Sequence, residues 1–423
     1  MTRGFLLPGG ISGESVLVFS PPPAVSRAFS KQLDGSAKSG SGDTHGDRRQ
    51  LIAVFEDMAR KLKSDPVLFA ATMLLVGLSI VMVYSASAVL EMERTGRPFW
   101  FLLKQGMWAA LGIGVLGIAM RIDYRNYKEP TFVWSALGFV SIGLAGVLFS
   151  PPVNNARRWF GLGGLGIQPS ELAKVAAILF IAALLERRMH RVNEVGYSLI
   201  PVAAVVVLLV GLILLEPDFG TAMSLALIAA VMVFAAGLDY TYIVGAGLLV
   251  LPAVSLLVMS EPYRRRRWLS FLNPWGDPLG GGFQIIQSLI AVGTGGVSGK
   301  GLMNGVQKLF FLPEPHTDFI YSVISEELGF LGATAVLMCF CVISWRGLRV
   351  ALRAPDRFGA FLALGLTAMI AIQAFVNISV VLGLLPTKGI PLPFISAGGS
   401  SLLINLLGMG ILLNISQHAS TEA

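Results

Sequence analysis

A carboxylate at the edge of an apolar segment is a candidate proton acceptor, because partial desolvation raises its pKa toward the working pH. Asp318 is such a residue: it ends the run Pro313-Glu314-Pro315-His316-Thr317-Asp318 and leads into a long apolar stretch. Asp318 or Thr317 could equally be the N-cap of the helix that follows. Glu326 and Glu327 lie about two turns deeper, where each needs a proton or a partner, so an internal salt bridge and a functional role both stay open. Glu171 and Lys174 are three apart and share a helix face, just after Pro169 and Ser170, which read as a helix start. They form either a local ion pair anchoring that helix or an ionic pair lining a cavity opposite Asp318. Arg157 and Arg158 precede them in sequence, and Arg264 to Arg267 form a run of four. Guanidinium pairs with phosphate through two hydrogen bonds, so a phosphorylated ligand suits that run, as do anionic headgroups. The stretch 385–401 holds three prolines, Lys388, and a Ser- and Gly-rich run from Ser396 to Ser401. Backbone held out of helix at membrane depth needs protein or a water-filled cavity against it, although small residues also mark close helix packing. No HExxH, Walker A or clustered His/Cys pattern occurs, which argues against ATP hydrolysis and a structural zinc site.

The elements that position these residues are membrane helices. Of 423 residues 54% are hydrophobic and 13% charged, with a mean hydropathy of +0.71, where soluble proteins carry about 25% charge. The net charge of +7 sits in short basic clusters between apolar blocks, a pattern of membrane orientation and anionic lipid rather than nucleic acid. Ten apolar stretches of spanning length are expected at 66–89, 99–120, 132–149, 171–185, 198–215, 219–238, 240–259, 319–345, 358–384 and 394–414. Only Glu216-Pro217-Asp218 separates the fifth from the sixth, which demands a tight reversal. With both termini cytoplasmic, the short inside segments carry 15 Lys and Arg against 5 outside, the bias the positive-inside rule expects. Segment 260–318 then becomes a large extracytoplasmic loop between spans 7 and 8. Residues 1–65 read as a disordered cytoplasmic tail rich in Gly, Ser and Pro, and 417–423 as a short cytoplasmic end. Cys339 and Cys341 are two apart in one apolar run and cannot bridge without unwinding it.

Taken together these stretches resemble the SEDS family (shape, elongation, division, sporulation), ten-span peptidoglycan glycosyltransferases. The resemblance covers about 66–416 and rests on 168–174, 216–221, 261–278, 282–287, 299–327 and 385–401, which match in order. Within the family the chain looks most like the division branch, on Gly305-Val306-Gln307-Lys308-Leu309 followed by Leu312-Pro313-Glu314; Ala397 stands where many relatives carry Tyr. The resemblance implies that Asp318 is the catalytic aspartate and that Glu171 and Lys174 are the cavity pair.

It further implies lipid II as substrate, with inversion at C1 of a lipid-linked glycan attacked by a 4-hydroxyl. Such a single displacement needs one base and neutralisation of the departing pyrophosphate. Asp318 would be the base, worth typically 10²–10⁴-fold. Arg158, Lys174, Arg264, Arg266 and Lys388 are the expected charge-stabilising groups, with Gln284, Gln287, Ser396 and Ser400 completing the substrate-binding set. A divalent cation, Mg or Mn, is compatible with the same task, though the sequence shows no dedicated cage. A class B penicillin-binding protein is the implied partner, alongside other membrane proteins of the division machinery and membrane lipid. The implied location is the bacterial inner membrane at the septum. A lipid II flippase is the main rival, against which the informative residues crowd one face and no inverted repeat is evident; a scaffold of the division complex is the third reading.

Overall fold

Every apolar stretch expected to span lies on a helix. The computed structural model describes residues 64–151, 157–162, 165–260, 262–309, 311–387 and 389–419, all within one compact unit of residues 60–423; the expected tail lies outside the described residues as far as 63. Helix α1 (Pro66–Thr95) begins where the Asp65 side chain accepts from the Val67 and Leu68 amides at 3.0 and 3.1 Å, and ends at Gly96 in the left-handed region. It is followed by α2 (Trp100–Ala119), α3 (Pro130–Val147), α4 (Pro169–Arg188), α5 (Ile200–Leu215), α6 (Phe219–Ala235) and α7 (Tyr240–Met259). After segment 260–318 come α10 (Ile320–Arg353), α11 (Arg357–Val381) and α12 (Gly399–His418). Among the described residues seven helices are long and apolar enough to cross a membrane. The other three expected spans are α4, which carries Glu171, Lys174 and Glu186, the 17-residue α6, and α7. With α11 and α12, α4 forms the buried centre of the bundle, which is why its charged residues are the informative ones.

Segment 260–318 is structured rather than a plain loop. It contains α8 (Pro262–Leu272) and α9 (Phe283–Thr294), and Ser288 ties α9 to the bundle through the Ser322 hydroxyl at 2.8 Å and the Val381 carbonyl at 2.7 Å. Its residues 296–301 repair a break in α10 at Gly329, where φ is 67° and ψ −166°. Backbone amides left without helical partners are costly in a membrane, and here neighbouring chain supplies them: Phe330 N–H donates to Gly296 at 2.8 Å and Leu331 to Val297 at 3.2 Å, while Lys300 and Gly301 donate to Glu326 and Glu327 at 3.0 Å each. Only glycine allows this approach, because a Cβ on Gly299 would stand 2.1 Å from the Glu327 carbonyl oxygen. Lys300 Nζ then meets Glu326 at 2.7 Å and Lys308 Nζ meets Glu327 at 2.6 Å. Glu326 and Glu327 are therefore the salt-bridged residues of the two readings left open.

Two further details differ from the expected all-α design. Two short strands pair antiparallel, β1 (Phe160–Leu162) with β2 (Leu165–Ile167), Phe160 opposite Ile167. The last helix starts at Gly399 instead of 394, because Ser396 Oγ, the Leu392 carbonyl and the His316 carbonyl take up the amides of Leu392, Ile395 and Ala397 instead of a helix doing so.

Candidate active site

Asp318 does not cap a helix. The N-cap of α10 is Phe319, which makes no side-chain cap. Asp318 is held by its backbone, since Asn377 Nδ2 donates to its carbonyl oxygen at 2.9 Å and to the Ile390 carbonyl at 2.8 Å. The residue before it is fixed by Ser396 Oγ, which donates to the Thr317 carbonyl at 2.6 Å. Two bonds from α11 and the 391–398 turn thus present a carboxylate that no described donor occupies. Gly389 closes one side, for a Cβ there would sit 2.9 Å from Asp318 Oδ2. Burial pushes the Asp318 carboxyl up to about 7; Glu314 adds to the rise, Arg267 and Arg158 oppose it, and Asp218 adds to it. A carboxylate poised near neutrality with two guanidiniums in its field suits proton abstraction beside a departing anion.

The hinge between α5 and α6 supplies the neighbouring charges. Asp218 caps α6, with Oδ1 accepting from the Thr221 amide at 3.2 Å and Oδ2 from the Thr221 hydroxyl at 2.8 Å and Gln168 Nε2 at 3.1 Å. Arg158 reaches this hinge from the irregular residues just before β1, donating Nη2 to the Pro217 carbonyl at 2.7 Å with Nη1 3.8 Å from Asp218. Arg267 on α8 turns inward and donates to the Thr387 carbonyl at 3.2 Å.

The other expected site residues fall differently. Glu171 and Lys174 pair at 2.8 Å with side chains 3% and 2% exposed, and Lys174 also donates to Gln373 of α11 at 3.1 Å. This is a buried ion pair joining α4 to α11, with one Glu171 oxygen left without a partner among the described residues. Arg266 is exposed and packs its stem against Gly281, so within the basic run it is Arg267, not Arg266, that enters the Asp318 field. The side chain of Arg264 and all of Lys388 lie outside the described residues. Gln284 and Gln287 are half-buried on α9, and among the described residues neither hydrogen-bonds to Asp318. Ser396 works through the backbone, and Ser400 on α12 is buried with its hydroxyl unpartnered among the described residues. Among the described residues no group of three or more His, Cys, Asp or Glu converges. Sequence reasoning missed Asn377, Gln373 and Asp218. The first two are polar residues four apart in an apolar helix, a signal that was present.

Residues 66–421 match the family model of FtsW, RodA and SpoVE, described as cell cycle proteins. The chain belongs to the FtsW/RodA/SpoVE family. Among its relatives, the probable peptidoglycan glycosyltransferase FtsW of Geobacter sulfurreducens is 46% identical over 83% of this chain and 95% of its own length. Stage V sporulation protein E of Bacillus subtilis is 43% identical over 85% of this chain and 99% of its own. A solved chain from a peptidoglycan synthase complex, described as coordinating polymerization and crosslinking, superposes with a TM-score of 0.71 at 32% identity. It covers 85% of this chain and 100% of its own length. The six stretches singled out in the sequence of this FtsW/RodA/SpoVE protein all lie within the matched residues 66–421.

Proposed function

We infer that this chain is a peptidoglycan glycosyltransferase that polymerises lipid II, with Asp318 as general base. The observation that carries this is a carboxylate raised to about 7, fixed through its backbone, with no described donor on its oxygens and with Arg158 and Arg267 in its field. The names of the relatives support the same chemistry. In the step, the acceptor 4-hydroxyl oxygen bonds to C1 of the lipid-linked glycan while its proton passes to Asp318. The C1–oxygen bond to pyrophosphate breaks, and the electron pair leaves with the pyrophosphate. A sugar hydroxyl is far less acidic than a carboxylic acid, so proton transfer accompanies bond formation. Arg158 and Arg267 offset the charge that accumulates on the leaving group.

The same reading places Asp318 on the extracytoplasmic side of the bacterial inner membrane, at the septum, with both termini inside, on the basic bias of the short loops. It assigns cross-linking to a class B penicillin-binding protein, and the complex that supplied the similar solved chain supports such a pairing. The test is glycan synthesis from lipid II by the purified chain with that partner in detergent, where transport has no meaning. Polymer is expected. Its absence, together with lipid II translocation in vesicles, would establish the flippase instead.

A further inference from the structure

Glu216 ends α5 two residues before Asp218. Its side chain is 0% exposed, and among the described residues neither carboxyl oxygen has a hydrogen-bond partner. An ionised carboxylate so placed lacks hydrogen-bond compensation, and such groups tend to neutralise instead. The charged groups that face it are Asp218 and Arg158. Burial pushes the Glu216 carboxyl up to about 8, the Asp218 carboxylate adds to the rise, and Arg158 opposes it. Arg158 has its own vacancy. Its Nη atoms are engaged by Pro217 and Asp218, but the buried Nε–H donates to nothing among the described residues. A carboxylate at 216 is the natural acceptor for that N–H, and a carboxylic acid is a poor one.

We propose that Glu216 is a positioning residue which, by staying protonated, leaves Arg158 where the Pro217 and Asp218 oxygens hold it, its guanidinium partly exposed to meet the pyrophosphate of the substrate, rather than drawn further inward through its Nε–H. This rests on the function proposed above and adds a residue that acts through Arg158 without touching substrate. The consequence is a loss of affinity for a pyrophosphate diester as pH rises through 8, because the ionised carboxylate competes with the substrate for the same guanidinium. Asp318 works in the opposite sense, since a base must lose its proton, so polymerisation should rise through about 7 and fall through about 8.

The experiment uses the full chain carrying Asp318→Asn, which removes turnover and the titration of residue 318. Lipid II is the probe, its pyrophosphate being a diester of constant charge over the range. Binding is measured from pH 6.5 to 9.5 in detergent. Kd is expected to weaken about tenfold across that range, the loss of one charge-assisted hydrogen bond. Adding Glu216→Gln, which keeps a neutral amide of the same shape, should leave pH 6.5 affinity within about threefold and abolish the alkaline loss. In an Arg158→Ala background, Glu216→Gln should change nothing further. An alkaline loss that survives Glu216→Gln overturns the proposal, as does an affinity that rises with pH, the behaviour of a carboxylate holding a cation. PH-indifferent binding overturns it while leaving the proposed function standing; absence of lipid II binding at every pH brings down both.

Discussion

Asp318 and Glu327 stand nine residues apart in sequence, yet they have opposite fates. Glu327 is saturated: it accepts from Lys308 Nζ at 2.6 Å, from Ser85 Oγ at 2.7 and 2.8 Å and from the Met303 amide at 3.1 Å. Glu326 is likewise filled by Lys300 and by the amides of Val306 and Gln307. Asp318 takes none of its described neighbours as a donor, and burial pushes it up to about 7. A buried carboxylate with all its acceptor sites filled fastens the chain; one that is fixed only through its backbone is left for a substrate. Satisfaction and exposure together separate Asp318, half-buried with no described donor, from the fully buried and filled Glu326 and Glu327; lack of a partner alone does not mark a reactive group, since among the described residues Glu216 and one Glu171 oxygen lack one too.

Substituting Asp318 is the strongest way to break this contrast. Asp318→Asn is expected to reduce polymerisation by about 10²-fold or more while the protein folds normally. Its stability should even rise at alkaline pH. The folded-state pKa lies above the ordinary aspartate value of 3.8, so ionisation penalises the native state progressively between about 4 and 7, and the penalty is complete above 7. Melting curves at pH 4 and pH 8 check the sign: equal to wild type at the first, higher than wild type at the second. Wild-type polymerisation by Asp318→Asn would end the assignment.

The staple should respond in the reverse manner. Lys308→Met leaves Glu327 buried beside a hydroxyl and an amide but without its cation, an uncompensated charge that typically costs about 3–5 kcal/mol. The expected result is a large drop in melting temperature or failure to accumulate. Joining it with Glu327→Gln removes the stranded charge and should recover part of the loss, which a merely misfolded loop would not show.

These two regions were unequally legible in the sequence. Apolar runs are local, so all ten stretches were visible, and each falls on a helix. The Glu327 partners are not helical neighbours: Lys308 is 19 residues away and Ser85 is 242, and no helical periodicity joins them. For Asp318 the sequence offered cap and base without deciding, because the decision lies in Phe319 taking the cap position and in Asn377, 59 residues away, holding the backbone. The Glu171–Lys174 spacing gave the ion pair but not its depth, which depends on α11 closing over it through Gln373. Arg267 could not be told from Arg264 or Arg266, since four identical residues on a helix carry no mark of which one turns inward.

Glycines sharpen the contrast at smaller scale. Gly329 sits at φ 67°, and a Cβ there would stand 2.3 Å from the Gly299 nitrogen. Backbone cannot yield as a side-chain tip can. Gly329→Ala is expected to destabilise by about 1–3 kcal/mol through strain and loss of the 296–301 contacts, read as a lower melting temperature with lost activity in proportion to the protein unfolded.

Gly389→Ala tests the other region with the same added methyl. Gly389 does not need a left-handed backbone; what it provides is room, with Asp318 Oδ2 2.9 Å from where a Cβ would stand. The obstructing atom is the end of a short side chain, so the fold can accommodate the methyl by moving the carboxylate a few tenths of an ångström. Stability should change by less than about 1 kcal/mol. Activity should not be spared, because displacement of a reacting group by a fraction of an ångström weakens alignment, and a loss on the order of tenfold is expected. The methyl also displaces water from an already desolvated carboxyl, which raises its pKa further. The acid limb of the pH profile, centred near 7 in the wild type, should therefore move to higher pH, and part of the lost activity should return between pH 7 and 8. A Gly389→Ala protein with an unmoved acid limb and full activity would show that the carboxylate is not confined where the geometry puts it. A protein that instead unfolds would place Gly389 with Gly329 among the residues that hold the chain together.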